Sequence, residues 1–244
     1  MCAAFVSTHA KSKKNEISAP KNYRKLTFTQ SDELQRIIDG AVRELTAKNF
    51  KPEEIAVSLV DLRDLQNIKS ANVRGEAKIY PASVVKMFYM AALDRQFEDG
   101  KIKSTTELER GLKDMIVDSS NEATQYILDV LTDTSSGGEM PEKEFQKWSF
   151  DRNRVNRFFS TLGYENINVN QKTFCEDAYG REQQFRKYRG ENRNMLTTNA
   201  TARLMADIVL GKIAAPERTQ RMLDLMKRDA FSETKDADNQ ATGV

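Results

Sequence analysis

Two short stretches of this 244-residue chain carry side chains suited to acyl-transfer chemistry. In the first stretch, Ser83 precedes Lys86 by three residues, a spacing that places both side chains on one face of a helix. Apolar residues flank Lys86 on both sides, so we expect its ammonium group to be partly buried and its pKa to be lowered. A lysine with a lowered pKa can act as a base and activate a serine hydroxyl as a nucleophile.

The second stretch is Ser119-Ser120-Asn121, which precedes another helical pattern. Ser119 could relay a proton from Lys86, and the Asn121 amide could orient Lys86 and bind substrate.

Structural explanations exist for both stretches. Serine and asparagine are preferred at helix N-caps and in turns, so Ser83 and the 119–121 segment could simply begin helices. Lys86 could extend along the protein surface with its ammonium group in water. These alternatives remain open when each stretch is considered alone.

The composition excludes several other kinds of chemistry. The chain has one histidine, His9, in a polar N-terminal stretch, so a folded Ser-His-Asp or Cys-His site has no base. Cys2 and Cys175 are too few for a disulfide framework and lack metal-ligand spacing. A net charge of +2 gives no electrostatic reason to expect nucleic acid as a partner. No stretch approaches the roughly 20 apolar residues of a membrane span.

Hydrophobic periodicity predicts an α+β fold. An amphipathic helix that begins at Thr29 or Ser31 precedes two strands at 55–62 and 66–71, and 83–97 is a helix that is apolar nearly all round. Two strands do not form a stable sheet alone. The remaining predicted elements are helices at 105–117, 121–132, 144–162, 199–212 and 216–228, and a long loop at 166–194.

Together these residues resemble the penicillin-recognising serine hydrolases, and in particular the class A β-lactamase-like branch. Ser83-Val84-Val85-Lys86 matches the first family motif, S-x-x-K, and Ser119-Ser120-Asn121 matches the second, S-D-N, with serine in place of aspartate. The stretch IAVSLVDLRD resembles the first family strand, and NMLTT at 194–198 resembles the segment after the omega loop. The resemblance covers about residues 30 to 230.

The chain departs from the family in two places. No E-x-x-L-N string occurs at 166–194, where the family carries the glutamate that activates the deacylating water, so Glu176, Glu182 and Asp177 are candidates by proximity alone. The third motif, K-T-G, does not occur in the 244 residues. We therefore expect an incomplete sheet and a C-terminally truncated chain.

The resemblance implies a domain organisation. Residues 1–28 would be a leader or linker, 29–82 the start of an α/β layer, and 83–228 a helical region with both motifs and an omega-like loop at 166–194. Residues 229–244 would return to the sheet. We expect the site at the junction of the two layers.

The implied function is acyl-enzyme hydrolysis of β-lactams or D-alanyl-D-alanine-like amides. Ser83 would be the nucleophile, Lys86 the base, Ser119 a proton relay and Asn121 a substrate anchor, with no metal or organic cofactor. One alternative is a penicillin-binding or peptidase-like protein that acylates without fast deacylation. Another is a catalytically dead binding module or fragment.

The resemblance also bears on partners and location. The partner would be a β-lactam or a peptidoglycan peptide, bound by a monomer with no nucleic acid and no transmembrane segment. As written, the chain shows no signal peptide, whereas the resemblance suggests a periplasmic or secreted protein.

Overall fold

The structure, a computed structural model, describes residues 16–228. A small mixed sheet lies at one side, with strand order β1-β3-β2. Its strands are β1 (Thr29–Gln30), β2 (Val57–Asp61) and β3 (Lys69–Val73). β2 and β3 form an antiparallel hairpin with Leu59 opposite Ala71. β1 adds in parallel to β3, so the sheet gains a third strand that the sequence pattern did not predict.

Helix α1 (Asp32–Ala47) covers one face of this sheet. Ser31 is its N-cap, because the Ser31 hydroxyl accepts a hydrogen bond from the Leu34 backbone, whereas Thr29 lies in β1. Leu34 and Ile38 are buried against Ala71 of β3. This packing forms a small core of its own, separate from the main one.

Helix α2 (Val85–Glu98) lies at the centre of the main core. Twelve of its fourteen residues are buried, as the apolar character of its whole circumference predicts. Phe88 packs edge-on against Phe159 at 4.9 Å between ring centres. Because every face of α2 is covered, any polar group on it must find a partner inside the protein.

Seven further helices follow α2 in the described part of the chain. They are α3 (Thr106–Ile116), α4 (Asn121–Thr132), α5 (Glu142–Arg152), α6 (Arg154–Thr161), α7 (Gly180–Arg186), α8 (Thr198–Val209) and α9 (Pro216–Met226). The predicted helix at 144–162 is thus two helices, which meet at Asn153. The 166–194 segment is not all loop, because it contains α7.

The residues before Ser83 and the residues that follow the 166–194 segment are joined by backbone pairing. Ile79 and Leu196 form an antiparallel bridge, and Asn168 and Met195 form a second one. Helix α8 follows directly and packs against β2. These bridges connect the sheet side of the molecule to the helices that carry the two motifs.

Residues 16–23 are packed against the rest of the protein rather than extended away as the linker that their composition suggested. Ile17 is buried in the main core, Glu16 forms a double ion pair with Arg157, and the Tyr23 hydroxyl donates to Asp207 at 2.8 Å. We call residues 16–23 the N-terminal arm. The rest of the predicted leader, 1–15, and the predicted return to the sheet, 229–244, lie outside the described residues.

Candidate active site

Ser83 lies in a strained turn just before α2. Pro81 precedes the turn, Ala82 has a left-handed φ of 45°, and Ala82–Val84 form a single 3₁₀ turn. The helix N-cap is Val84, and no side chain caps the helix. The explanation of Ser83 as an N-cap is therefore wrong, and the Ser83 hydroxyl hydrogen-bonds to other side chains instead.

Lys86 is buried, with 3% of its surface exposed, and its ammonium group lies among oxygen atoms. Its Nζ atom donates to Ser83 Oγ at 3.1 Å, to Ser119 Oγ at 3.0 Å and to Asn121 Oδ1 at 3.1 Å, and it also contacts the Ser119 carbonyl. The explanation of Lys86 as a surface side chain is therefore wrong. Burial lowers the pKa of Lys86 to about 8, and the opposing attraction of Glu122 and Cys175 is smaller.

The three residues of the second motif have different structural roles. The Ser120 hydroxyl accepts from the Ala123 backbone at 3.1 Å and caps α4. Ser119 adopts a left-handed φ of 53°, and its hydroxyl donates to Ser83 Oγ at 2.9 Å. Asn121 begins α4 with its amide oxygen on Lys86. Because Ser120 serves as the cap, Ser119 and Asn121 are available to contact the first motif.

The structure thus brings all four predicted site residues together. Ser83, Lys86, Ser119 and Asn121 form one hydrogen-bonded cluster, which we call the Ser83 cluster. The residues come from two segments more than thirty positions apart in the chain. A hydroxyl, a buried amine of lowered pKa and a second hydroxyl are thereby arranged for proton transfer.

The 166–194 segment contributes one residue that sequence reasoning missed. Cys175 is exposed, and its Sγ atom accepts a hydrogen bond from Asn121 Nδ2 at 3.5 Å. Nearby, Gln125 of α4 donates to the Thr173 carbonyl at 3.1 Å and holds the segment against the helix. No local signal marks Cys175 in the sequence, because its partner Asn121 lies 54 positions earlier.

Of the three acidic candidates in this segment, Glu182 is buried, with 4% of its surface exposed. Its carboxylate accepts two hydrogen bonds from Arg152, at 2.8 and 2.9 Å, and one from Ser136 at 2.9 Å. Lys172 joins the same cluster, 3.7 Å from Glu182 and 2.6 Å from Asp129. The explanation of Glu182 as a solvated loop charge is therefore wrong.

The other two acidic candidates lie at the surface. Asp177 pairs with Arg186, and Glu176 is exposed.

Within residues 16–228, no group of three histidine, cysteine or acidic side chains is arranged to hold a metal ion. In the same part of the chain, no helix combines the length and the apolar character that crossing a membrane requires.

A sequence profile of the Beta-lactamase enzyme family matches residues 103–238, which is more than half of the chain. The chain belongs to the beta-lactamase enzyme family. The matched region includes Ser119 and Asn121, whereas Ser83 and Lys86 precede it. The family assignment supports a serine hydrolase function through an acyl-enzyme for this chain.

Solved structures show that the fold is also that of beta-lactamases. The structure of PBP-A has a TM-score of 0.52 at 18% identity, over 85% of this chain and 72% of that one. A PBP-A variant, solved as an acyl-enzyme complex with penicillin G, has a TM-score of 0.53 at 19% identity. The match covers 84% of this chain and 72% of that one. A beta-lactamase from Chitinophaga pinensis has a TM-score of 0.54 at 15% identity, and the match covers 78% of this chain and 68% of that one. No curated protein sequence matches this beta-lactamase family member.

Proposed function

We propose that this chain is a class A β-lactamase-like enzyme that acylates Ser83 with β-lactams or D-alanyl-D-alanine-like amides. The observation that supports this most strongly is the hydrogen-bonded triangle of Ser83, Lys86 and Ser119, whose three sides measure 2.9 to 3.1 Å. Such a triangle lets one proton leave the nucleophile and reach a leaving group without crossing bulk water.

Lys86 acts as the base of the acylation step. With a pKa of about 8, roughly one Lys86 side chain in ten is neutral at pH 7, and the neutral amine can accept a proton. As Ser83 Oγ forms a bond to the substrate carbonyl carbon, its proton moves to Lys86 Nζ. This proton transfer removes the main barrier to serine acting as a nucleophile.

Ser119 completes the step by protonating the leaving nitrogen. When the amide C–N bond breaks, the Ser119 hydroxyl gives its proton to that nitrogen and receives one from Lys86, which is 3.0 Å away. The products are an ester on Ser83 and a neutral amine, so the leaving nitrogen gains one proton for the one that Ser83 loses. Lys86 returns to its neutral form.

Asn121 serves as the anchor. Its amide oxygen fixes the Lys86 ammonium at 3.1 Å, and its amide nitrogen faces the 166–194 segment. An amide in this position can donate to the carbonyl of a substrate side chain. The substrate therefore lies between the start of α2, the start of α4 and the segment that carries Cys175.

The deciding experiment is intact-mass spectrometry after addition of benzylpenicillin. We expect a mass increase of one ligand in the 244-residue chain and none in Ser83→Ala. The matched control is Ser120→Ala, which changes a neighbouring serine that caps α4 and should keep the adduct. An adduct that persists in Ser83→Ala would refute Ser83 as the nucleophile.

A further inference from the structure

Tyr89 connects α2 to the 166–194 segment. It lies three residues after Lys86, on the same face of the helix, and it is fully buried. Its hydroxyl donates to the Gln171 carbonyl at 2.7 Å. A buried hydroxyl is costly without a partner, and phenylalanine would fill the same space without one. The helix that carries Lys86 is thereby tied to the backbone of the segment.

Asn194, at the end of the segment, holds the same point. Its side-chain oxygen accepts hydrogen bonds from the backbone nitrogens of Asn170 and Gln171, both at 3.0 Å. Its amide nitrogen donates to the Gln171 carbonyl at 3.0 Å. Because that carbonyl has this second donor, it stays paired when the Tyr89 hydroxyl is removed. The contribution of Tyr89 can therefore be tested by a substitution that leaves the fold intact.

From Gln171 the chain runs along one face of α4, and we call residues 171–175 the bordering stretch. Three α4 side chains spaced four residues apart lie on that face and hydrogen-bond the bordering stretch in order. The pairs are Asp129 with Lys172 at 2.6 Å, Gln125 with the Thr173 carbonyl at 3.1 Å, and Asn121 with Cys175 at 3.5 Å. The bordering stretch is thus held by α2 at its first residue and by α4 along the rest.

The hydrogen bonds of Lys86 do not involve the bordering stretch. Its Nζ atom contacts Ser83, Ser119 and Asn121, all of which belong to the two motifs. A displacement of the bordering stretch would therefore change the surface beside Asn121, where the substrate is proposed to lie, and would leave the proton-transfer triangle in place. Substrate binding and proton transfer depend on different contacts.

We propose that Tyr89 is a positioning residue for substrate binding: through the Gln171 carbonyl, its hydroxyl fixes the bordering stretch as one wall of the site. This inference rests on the proposed function, which it deepens by assigning a residue outside both motifs to the affinity for the β-lactam. Tyr89 is buried beneath the site and has no contact with the reacting atoms. It acts on binding and leaves acyl transfer unchanged.

The test is Tyr89→Phe, which removes only the hydroxyl. Stopped-flow acylation by a chromogenic cephalosporin, followed over a range of concentrations, separates the half-saturating concentration from the limiting rate of the first turnover. We expect the half-saturating concentration to rise about fivefold, the effect of one neutral hydrogen bond on an equilibrium. The limiting rate and its dependence on pH should match those of the wild type.

Hydrogen exchange measured by mass spectrometry gives a second readout that does not require acylation. The backbone amides of Asn170 and Gln171 donate to Asn194, so loosening of this point in Tyr89→Phe should raise their exchange rates about fivefold. The matched control is Tyr164→Phe, in which another buried tyrosine loses a hydrogen bond, here to Asp207 at 2.7 Å. This control should change neither the half-saturating concentration nor exchange at 170–171.

The outcomes separate this inference from the proposed function. Absence of acylation in the wild type would refute the proposed function and this inference with it. If the wild type is acylated, an unchanged half-saturating concentration or unchanged exchange at 170–171 in Tyr89→Phe would overturn this inference alone. A lower limiting rate at an unchanged half-saturating concentration would place Tyr89 in the chemical step instead. An equal effect of Tyr164→Phe would show a general loss of stability, and either result would also overturn it.

Discussion

Lys86 is a buried cation held by hydroxyl, carbonyl and amide oxygens, without a carboxylate among its hydrogen-bond partners in residues 16–228. A carboxylate partner would stabilise the charged form, whereas neutral oxygens compensate only part of the lost hydration. This arrangement explains why the pKa of Lys86 falls to about 8. Burial therefore converts an ordinary surface cation into a base that works near neutral pH.

The first prediction concerns the pH dependence of acylation. Only neutral Lys86 accepts the Ser83 proton, so the acylation rate should rise as pH increases through about 8, by about tenfold between pH 7 and pH 9. Stopped-flow mixing with a chromogenic cephalosporin, read as the first turnover, measures this rate. A rate that is flat over this range would remove Lys86 as the titrating base.

The second prediction concerns Lys86→Met, which keeps a long side chain but removes the base. We expect acylation of Ser83 to slow by about 10² to 10⁴-fold. Because the variant no longer buries an ammonium group, its melting temperature should not be lower than that of the wild type. Unchanged acylation would argue against Lys86 as the base, and a large loss of stability would show that the hydrogen bonds of Lys86 matter more than its desolvation.

Lys86 also links pH to stability. Its pKa is lower in the folded chain than its ordinary value of 10.5, so the unfolded chain binds more protons between pH 8 and 10.5. The contribution of Lys86 to the free energy of unfolding should therefore rise with pH across that window. The difference in unfolding free energy between the wild type and Lys86→Met, followed against pH, measures this contribution.

Much of the Ser83 cluster could be predicted from sequence because it depends on residues that are close together in the chain. The spacing of Ser83 and Lys86 and the apolar surroundings of Lys86 predict a helix with a buried base, and the structure has both. Cys175 could not be predicted, because its contact with Asn121 depends on how the 166–194 segment packs. The burial of Glu182 was missed for the same reason, since its partner Arg152 comes from another helix.

At the scale of elements, a cluster of four charged side chains, which we call the buried ion cluster, holds the 166–194 segment against the helices. Arg152 of α5 and Asp129 of α4 meet Glu182 of α7 and Lys172, and the two positive charges balance the two negative ones. Arg152 is fully buried, so its charge depends on these partners. The cluster thus determines where Cys175 lies relative to Asn121.

The third prediction follows from this cluster. Arg152→Met should leave Glu182 buried without its main partner, which costs about 3–5 kcal/mol, and the 166–194 segment should loosen. Limited trypsin digestion should then cut after Arg181 or Arg186 about ten times faster. The control is Arg110→Met, because Arg110 pairs with Glu107 at the surface and such pairs contribute little. Equal digestion of both variants would show that the cluster does not hold the segment.

The bounds of elements were predicted less well than their existence. The hairpin, α2 and α4 were all expected, but the pattern at 144–162 gave no sign of the break at Asn153. The short strand β1 was missed because two residues carry no periodicity, and it forms only by pairing with β3. The predicted boundaries between a sheet layer and a helical region remain a prediction, as does the monomeric state.

At the scale of the whole molecule, the N-terminal arm joins distant parts of the chain. Tyr23 and Tyr164 both donate to the Asp207 carboxylate, at 2.8 and 2.7 Å, and Arg203 donates to the Tyr23 hydroxyl. Burial of Asp207 raises the pKa of its carboxyl, which the two hydroxyls and Arg203 oppose. The arm therefore supplies one of the groups that oppose the rise in the pKa of Asp207.

The fourth prediction is that Tyr23→Phe lowers the free energy of unfolding by about 1–3 kcal/mol, because the buried Asp207 carboxyl loses a hydrogen bond. Urea denaturation followed by circular dichroism measures this change. Tyr179→Phe is the control, since 73% of Tyr179 is exposed. Indistinguishable midpoints for the two variants would mean that Arg203 and Tyr164 alone satisfy Asp207.

The N-terminal arm also constrains how the chain is made. Glu16 and Tyr23 emerge from the ribosome before their partners, because Arg157 and Asp207 follow 141 and 184 residues later. At about 5–20 residues per second, Tyr23 waits roughly 10–40 s for its partner. During that time Ile17 cannot enter the core that α8 and its neighbours complete. We therefore expect the N-terminal arm to dock only after translation of α8, among the last steps of folding.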